Sequence, residues 1–194
     1  MDKISLYPIL NYTDSSRQRR REAYDWITKN PSSLVPLMEI AFTADDPISC
    51  KACWVLETTM KENPEVLLPH ISYFTENMGS VHLDSAVRPI AKICEILTIN
   101  FFSKKKNEIQ TLLSERDLER MATTCFDWLI GPHKVASQAY SMTSLYLLGK
   151  KFDWIHPELK SVLQKNYTKG SAAYKARARM ILKKLNSDNR NCQS

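Results

Sequence analysis

The chain's one CxxC, Cys50-Lys-Ala-Cys53, is its most obvious candidate for chemistry. Two thiols at that spacing can hold zinc or cycle between dithiol and disulfide. A structural zinc needs four ligands, and no second CxxC or paired His follows at zinc-finger spacing. A redox CxxC opens a helix after a strand, and no strand precedes this one. What remains is two small side chains packed between helices, with no metal and no cofactor. The histidines His70, His82, His133 and His156 are scattered along the chain. His82 and Asp84 could form a hydrogen-bonded pair, read as a loop contact because no nucleophile lies nearby. GxSxG, HExxH and GxGxxG are all missing, and the four isolated glycines cannot build a phosphate-cradling loop. No catalytic constellation emerges, and the chain is read as non-enzymatic.

Charge is the second lead. The 194 residues carry 27 Lys+Arg against 21 Asp+Glu, a net charge of +6. Residues 159–187 hold eight bases and no acid, leaving 19 bases against 21 acids elsewhere. A basic C-terminal segment thus sits on a slightly acidic body, unlike a general nucleic-acid coat. Two clusters are candidates for phosphate or nucleic acid: Arg17, Arg19, Arg20 and Arg21, and Lys175, Arg177 and Arg179 with Lys183 and Lys184. Lysines at a helix C-terminus suit the helix dipole, whereas four Arg at a helix start oppose it. Acidic Asp14, Glu22 and Asp25 beside them supply local pairing as the other explanation. The apolar fraction of 43% excludes a chain disordered throughout. No apolar run approaches the ~20 residues of a membrane span. The N-terminus does not read as a secretory signal. Five Cys, an odd number without scaffold spacing, point to a reduced, cytoplasmic compartment.

The elements that would carry these residues are helices. Apolar or small residues recur at i, i+4, i+7, i+8 and i+11 in Ile48–Ala52–Val55–Leu56–Thr59 and in Ala86–Ile90–Ile93–Cys94–Leu97. The pattern returns in Val135–Ala139–Met142–Thr143–Tyr146 and Tyr174–Ala178–Ile181–Leu182–Leu185, at offsets of 38, 49 and 39 residues. A partial match lies at Ala23, Trp26 and Ile27. A second helix follows each of the first four. Asn30-Pro31 and Asn63-Pro64 close one helix and open the next. Ser114 with Asp117 signals a capped start, Gly131-Pro132 punctuates the third pair, and Gly170 opens the last helix. The stripes beyond are Leu34, Met38 and Ala41; Leu67, Ile71 and Phe74; and Leu118, Ala122, Cys125 and Leu129. Pro157, Leu159, Val162 and Leu163 begin a fourth.

Helix–turn–helix units of this length, with Asp46-Pro47, Asp84, Arg88 and the Pro31 and Pro64 turns, resemble the HEAT-like and armadillo α-solenoid family. The resemblance covers roughly residues 14–187. It implies an all-α fold: a right-handed α-α superhelix of about four stacked helical hairpins plus a terminal helix. One hairpin cannot cover both its own apolar stripes and must lean on its neighbours. The expected organisation is a single domain over residues 1–187, with residues 1–13 lying over the first pair and a frayed tail at 188–194. The fumarase and aspartase superfamily is also helical, but neither Ser15-Ser16 nor Ser32-Ser33 carries its Pro-Lys-Asn sequel. A lyase activity therefore has no motif behind it.

Such repeats serve many unrelated tasks. The function expected here is a scaffold that binds a protein or peptide partner through a concave groove or an outer face. Candidate contacts are Trp54, Tyr73, Glu76, Arg120 and Asp127. Trp54 falls roughly 145° from the centre of its helix's apolar stripe. The aligned Lys92 and Ser141 are polar, as an outer face should be. Groove positions Glu39, Thr43, Ser72, Thr123, Ile40 and Thr124 complete a mixed, mildly acidic lining. The alternative is a nucleic-acid-binding solenoid similar to the HEAT-like alkylpurine DNA glycosylases. Such proteins grip the duplex with recurring bases on the concave face, a recurrence these groove positions lack.

Overall fold

The computed structural model describes the backbone of residues 3–43 and 47–191, and side chains within 4–43 and 47–188. The described residues form helices joined by turns, with no strand among them. No helix among them is long and apolar enough to cross a membrane. A short 3-10 turn, Lys3–Leu6, leads into α1 (Tyr7–Tyr12). Then follow α2 (Arg17–Lys29), α3 (Leu34–Ala41), α4 (Pro47–Glu62), α5 (Ile71–Asn77) and α6 (Asp84–Phe101). The remainder is α7 (Ile109–Leu112), α8 (Glu115–Ile130), α9 (Val135–Leu148), α10 (Ile155–Tyr167) and α11 (Ala172–Asn191).

Local chemistry accounts for most boundaries. The Ser16 hydroxyl caps α2 by accepting from Arg19 N at 3.3 Å. Asn30 follows the last turn of α2, and Pro31–Ser33 forms the 3-10 turn that starts the return. After α4 two 3-10 turns, Pro64–Val66 and Leu68–His70, hold Pro64 and Pro69, and only seven residues remain for α5. Ser114 and Asp117 close the anticipated capping box on α8. The 49-residue spacing of the third unit houses α7, a helix that periodicity did not reveal. Asp46 lies outside the described residues.

The helices sit in two rows. In the first, α2 packs on α4, α4 on α6, α6 on α9 and α9 on α11. In the second, Phe42 after α3 meets Phe74 of α5 with ring centroids 5.8 Å apart. Next α5 packs on α8, and Phe126 of α8 stacks on Trp154 before α10 at 5.6 Å. One core runs between the rows. The stripes of α4 and α6 are buried where the periodicity placed them, apart from half-buried Ile48. In the described part of the N-terminal segment, Lys3–Leu6 packs on α3 and α1 on α2 and α4: Leu6 and Leu10, four apart, are fully buried while Ile4 is exposed. Each buried leucine contributes about 1.5–3 kcal/mol relative to an exposed one.

Two expectations fail. In α9 the buried face carries Ser137, Ser141, Ser144, Leu145 and Leu148 as well as Met142 and Tyr146, while Val135, Ala139 and Thr143 are half exposed. Ser141 therefore faces neighbouring helices, not solvent, because α6, α8, α10 and α11 pack around α9 and small hydroxyls permit their approach. Ile40 belongs to the core instead of a groove. Of the tail expected to fray over 188–194, residues 192–194 lie outside the described residues; α11 runs to Asn191, and the Tyr146 hydroxyl donates to Asp188 Oδ2 at 2.8 Å. Burial and that carboxylate push the Tyr146 phenol up to about 12.

Candidate functional site

The second row carries the densest set of anticipated contact residues. Asp117, in the first turn of α8, accepts from the Ser114 hydroxyl at 2.5 Å and the Thr75 hydroxyl at 2.5 Å, tying α8 to α5. Burial pushes its carboxyl up, but hydrogen bonds from Ser114, Thr75 and Ser72 outweigh that and leave it below the ordinary carboxylate range. Arg120 spans the same junction, donating to Glu76 Oε1 at 2.7 Å and reaching Asp117 Oδ1 at 3.3 Å. A cleft of about 460 Å³ lies alongside, with Arg116, Glu119 and Thr123 among its walls. Asp127 is exposed two turns further along α8. Tyr73 is half buried, its ring 6.3 Å from that of Phe42. Glu76 and Arg120 are thus brought together, with Tyr73 and Asp127 on the same row.

Two apolar residues on this row were not anticipated. Ile130 is 60% exposed at the end of α8, one turn after Phe126, and Trp154 is 52% exposed while stacked on Phe126. Exposed apolar groups gathered on one helix face mark interaction surfaces more than lone ones do. Trp154 sits in Phe152-Asp-Trp-Ile-His, where sequence spacing cannot say which ring turns outward.

Trp54 lies in the other row and has a structural task. Its indole N–H donates to the Ser85 carbonyl at 2.8 Å, joining α4 to α6. Four residues after Ser85 stands Pro89, inside α6 and lacking the N–H that would fill that carbonyl. The indole replaces the missing donor. This chemistry favours packing on the adjacent unit over presentation to a partner.

The basic clusters separate. Arg19 pairs with Asp14 at 3.5 Å, and Arg21 with Asp25 at 3.3 Å and Glu62 at 2.5 Å, so local acids absorb two of the four arginines. Arg17, Arg20 and Arg21 with Lys61 border a cleft of about 670 Å³ between α2 and α4. On α11 the bases do not form one patch. Arg177 reaches Thr143 of α9 at 3.4 Å, whereas Arg179 reaches Tyr167 of α10 at 3.3 Å. Two residues on a helix lie about 160° apart, which sends them to opposite sides. Lys175 is half buried.

The thiols of the CxxC are not poised for reaction. Burial pushes both up, Cys53 well above its ordinary value, and a reactive thiol needs the reverse. Cys53 Sγ lies 3.6 Å from the Ala41 carbonyl, a packing contact. Among the described residues no three of His, Cys, Asp and Glu converge as a metal site. Asp84 meets His133 Nδ1 at 3.3 Å and accepts from Lys134 N at 3.3 Å, so its histidine partner comes from the α8–α9 turn, 49 residues away. No family model matches this chain, and no curated protein or solved structure matches it either.

Proposed function

We propose that this chain is a HEAT-like helical-repeat module, a right-handed superhelix of about four hairpins plus a terminal helix, that acts without catalysis in the cytoplasm. Its partner is a protein or peptide docking on the second row. The observation that carries this reading is the outward face of α8: half-exposed Trp154 anchored on Phe126, exposed Ile130 a turn away, and the charged Glu76–Arg120 pair at the other end. An aromatic anchor beside apolar surface, rimmed by charges, is the composition of a binding hot spot. The two rows of helices support the repeat architecture, since each helix leans on the next unit for its burial.

Photo-crosslinking from position 154 in cells, followed by titration of the captured partner with purified chain, tests this. Trp154→Ala and Arg120→Ala should each weaken binding about tenfold or more. Equal binding by both variants, or turnover of a substrate abolished by one point substitution, would overturn the reading.

The α2–α4 cleft favours the alternative, a solenoid that binds nucleic acid through Arg17, Arg20 and Lys61. That reading requires duplex affinity that falls steeply with added salt and drops further in Arg17→Ser/Arg20→Ser. No binding at low salt ends it.

A further inference from the structure

The first row of helices runs α2, α4, α6, α9 and α11, each packed on the next. One side of α11 is taken by α9: Arg177 reaches Thr143, Lys184 lies over the Tyr146 ring, and Asp188 accepts from the Tyr146 hydroxyl. At about 100° per residue, Arg179, Leu182 and Asn186 fall on the opposite side of α11. That is where one more first-row helix would lean if the row continued. An open groove of about 560 Å³ lies there instead, between the end of α10 and the second half of α11. Tyr167 and Leu182 form its floor, both half buried against the core. Gln164 and Thr168 line the α10 wall, and Arg179 and Lys183 the α11 wall.

The charge around this groove has one sign. Residues 159–187 hold eight bases and no acid. Lys160, Gln164 and Tyr167 share a face of α10 through their i, i+4, i+7 spacing, and Lys175, Arg179 and Leu182 share one of α11 in the same way. Bases thus extend both walls beyond the apolar floor. Among the described residues none of Lys160, Lys175, Arg179 and Lys183 has a carboxylate partner. Arg179 donates through Nε to the Tyr167 hydroxyl at 3.3 Å, which holds the guanidinium beside the floor and leaves its terminal nitrogens for a planar acceptor. The end unit of a stacked array turns a polar face to water. Water alone calls for neither an apolar floor nor charge of a single sign. A second copy of this chain does not match, because its leading helix α2 starts with four arginines of its own. Nucleic acid calls for rings on which bases can stack, whereas the one ring here, Tyr167, is sunk in the floor.

We propose that the α10–α11 groove docks an acidic amphipathic helix of a protein partner. Its apolar stripe seats on Tyr167 and Leu182, its carboxylates meet Arg179 and Lys183, and it extends the first row in trans. The groove shares no residue with the α8 face and needs neither Trp154 nor Ile130. The test titrates the purified full chain into a fluorescein-labelled helical peptide of about 16 residues, with a leucine stripe flanked on both sides by glutamates. A lysine-flanked copy and a scramble without the stripe serve as controls. The acidic peptide should saturate at low-micromolar concentration, shift the backbone amides of Gln164, Thr168 and Leu182, and bind more tightly than both controls. Arg179→Glu/Lys183→Glu should weaken it about tenfold or more and transfer preference to the lysine-flanked copy. Both side chains are exposed, so this variant should keep the fold. Leu182→Ala should weaken binding roughly fivefold, and Trp154→Ala should leave it unchanged. No saturation by the acidic peptide, equal binding of the scramble, or no exchange of preference in the charge-reversed variant would overturn the proposal. Loss of binding in Trp154→Ala would do so too, by placing the peptide on the α8 face. Tighter binding of a DNA duplex or of phosphatidylserine vesicles, lost in the charge-reversed variant, would overturn it in favour of that polyanion.

Discussion

Around α4 and α6 the protein satisfies polar groups that it buries; around α9 and α11 it leaves some of them alone. Glu57 is 1% exposed, yet Arg88 grips it through both nitrogens and Lys61 adds a third contact at 2.5 Å. The carbonyl that Pro89 orphans at Ser85 is filled by Trp54. In the C-terminal half, the hydroxyls of Ser137 and Ser141 are buried without partners among the described residues. The first region is paired to hold α4 on α6. The second uses serines as small spacers in a crowded helix junction. Unsatisfied groups cost stability, so removing a buried polar group should have opposite signs in the two regions.

The largest expected effect lies in the first region. Arg88→Met leaves Glu57 buried with Lys61 alone and should cost about 3 kcal/mol in urea unfolding. The double change Glu57→Leu/Arg88→Met should recover most of that; failure to recover would mean the pair matters for more than its charges. Next comes the tightest spot at the end of α9. Gly149→Ala would place a Cβ 1.9 Å from His156 Cδ2, displacing a ring that stacks on Tyr146 and whose Nε2 lies 2.8 Å from the Tyr146 carbonyl. About 2 kcal/mol should be lost, with a lower melting temperature.

Trp54→Phe should cost about 1 kcal/mol for the lost hydrogen bond. In a Pro89→Ala background the restored N–H fills the Ser85 carbonyl, so part of that loss should vanish. A double-mutant cycle with no coupling would separate the two residues. The smallest effect should have the opposite sign. Ser141→Ala removes an unpartnered hydroxyl from α9 and should raise stability by roughly 0.5–1 kcal/mol. A destabilised Ser141→Ala would show that this hydroxyl has a partner after all and erase the contrast between the two regions.

How much of this was legible beforehand varies by element. The turns at Pro31 and Pro64 and the capped start at Ser114 follow from local chemistry, and so do the buried stripes of α4 and α6, where apolar residues mark a single inward face. The α5–α8 face was half legible: Glu76 and Arg120 could be placed on the second row, but their ion pair joins residues 44 apart. Trp54 was recognised as displaced from its stripe, while its partner was hidden, because the orphaned Ser85 carbonyl belongs to another helix. The pairing of His133 with Asp84 was equally out of reach across a turn between units.

The amino-acid order by itself settles that this chain is helical, where several of its helices begin, and that its positive charge is concentrated near the C-terminus. Those properties depend on interactions within a few residues: caps, prolines and a 3.6-residue period. Which side of α9 turns inward was decided by tertiary structure. Serine, alanine, threonine and tyrosine are spread around that helix and give no single apolar direction, so the neighbours crowding it select the smallest side chains for the closest approach.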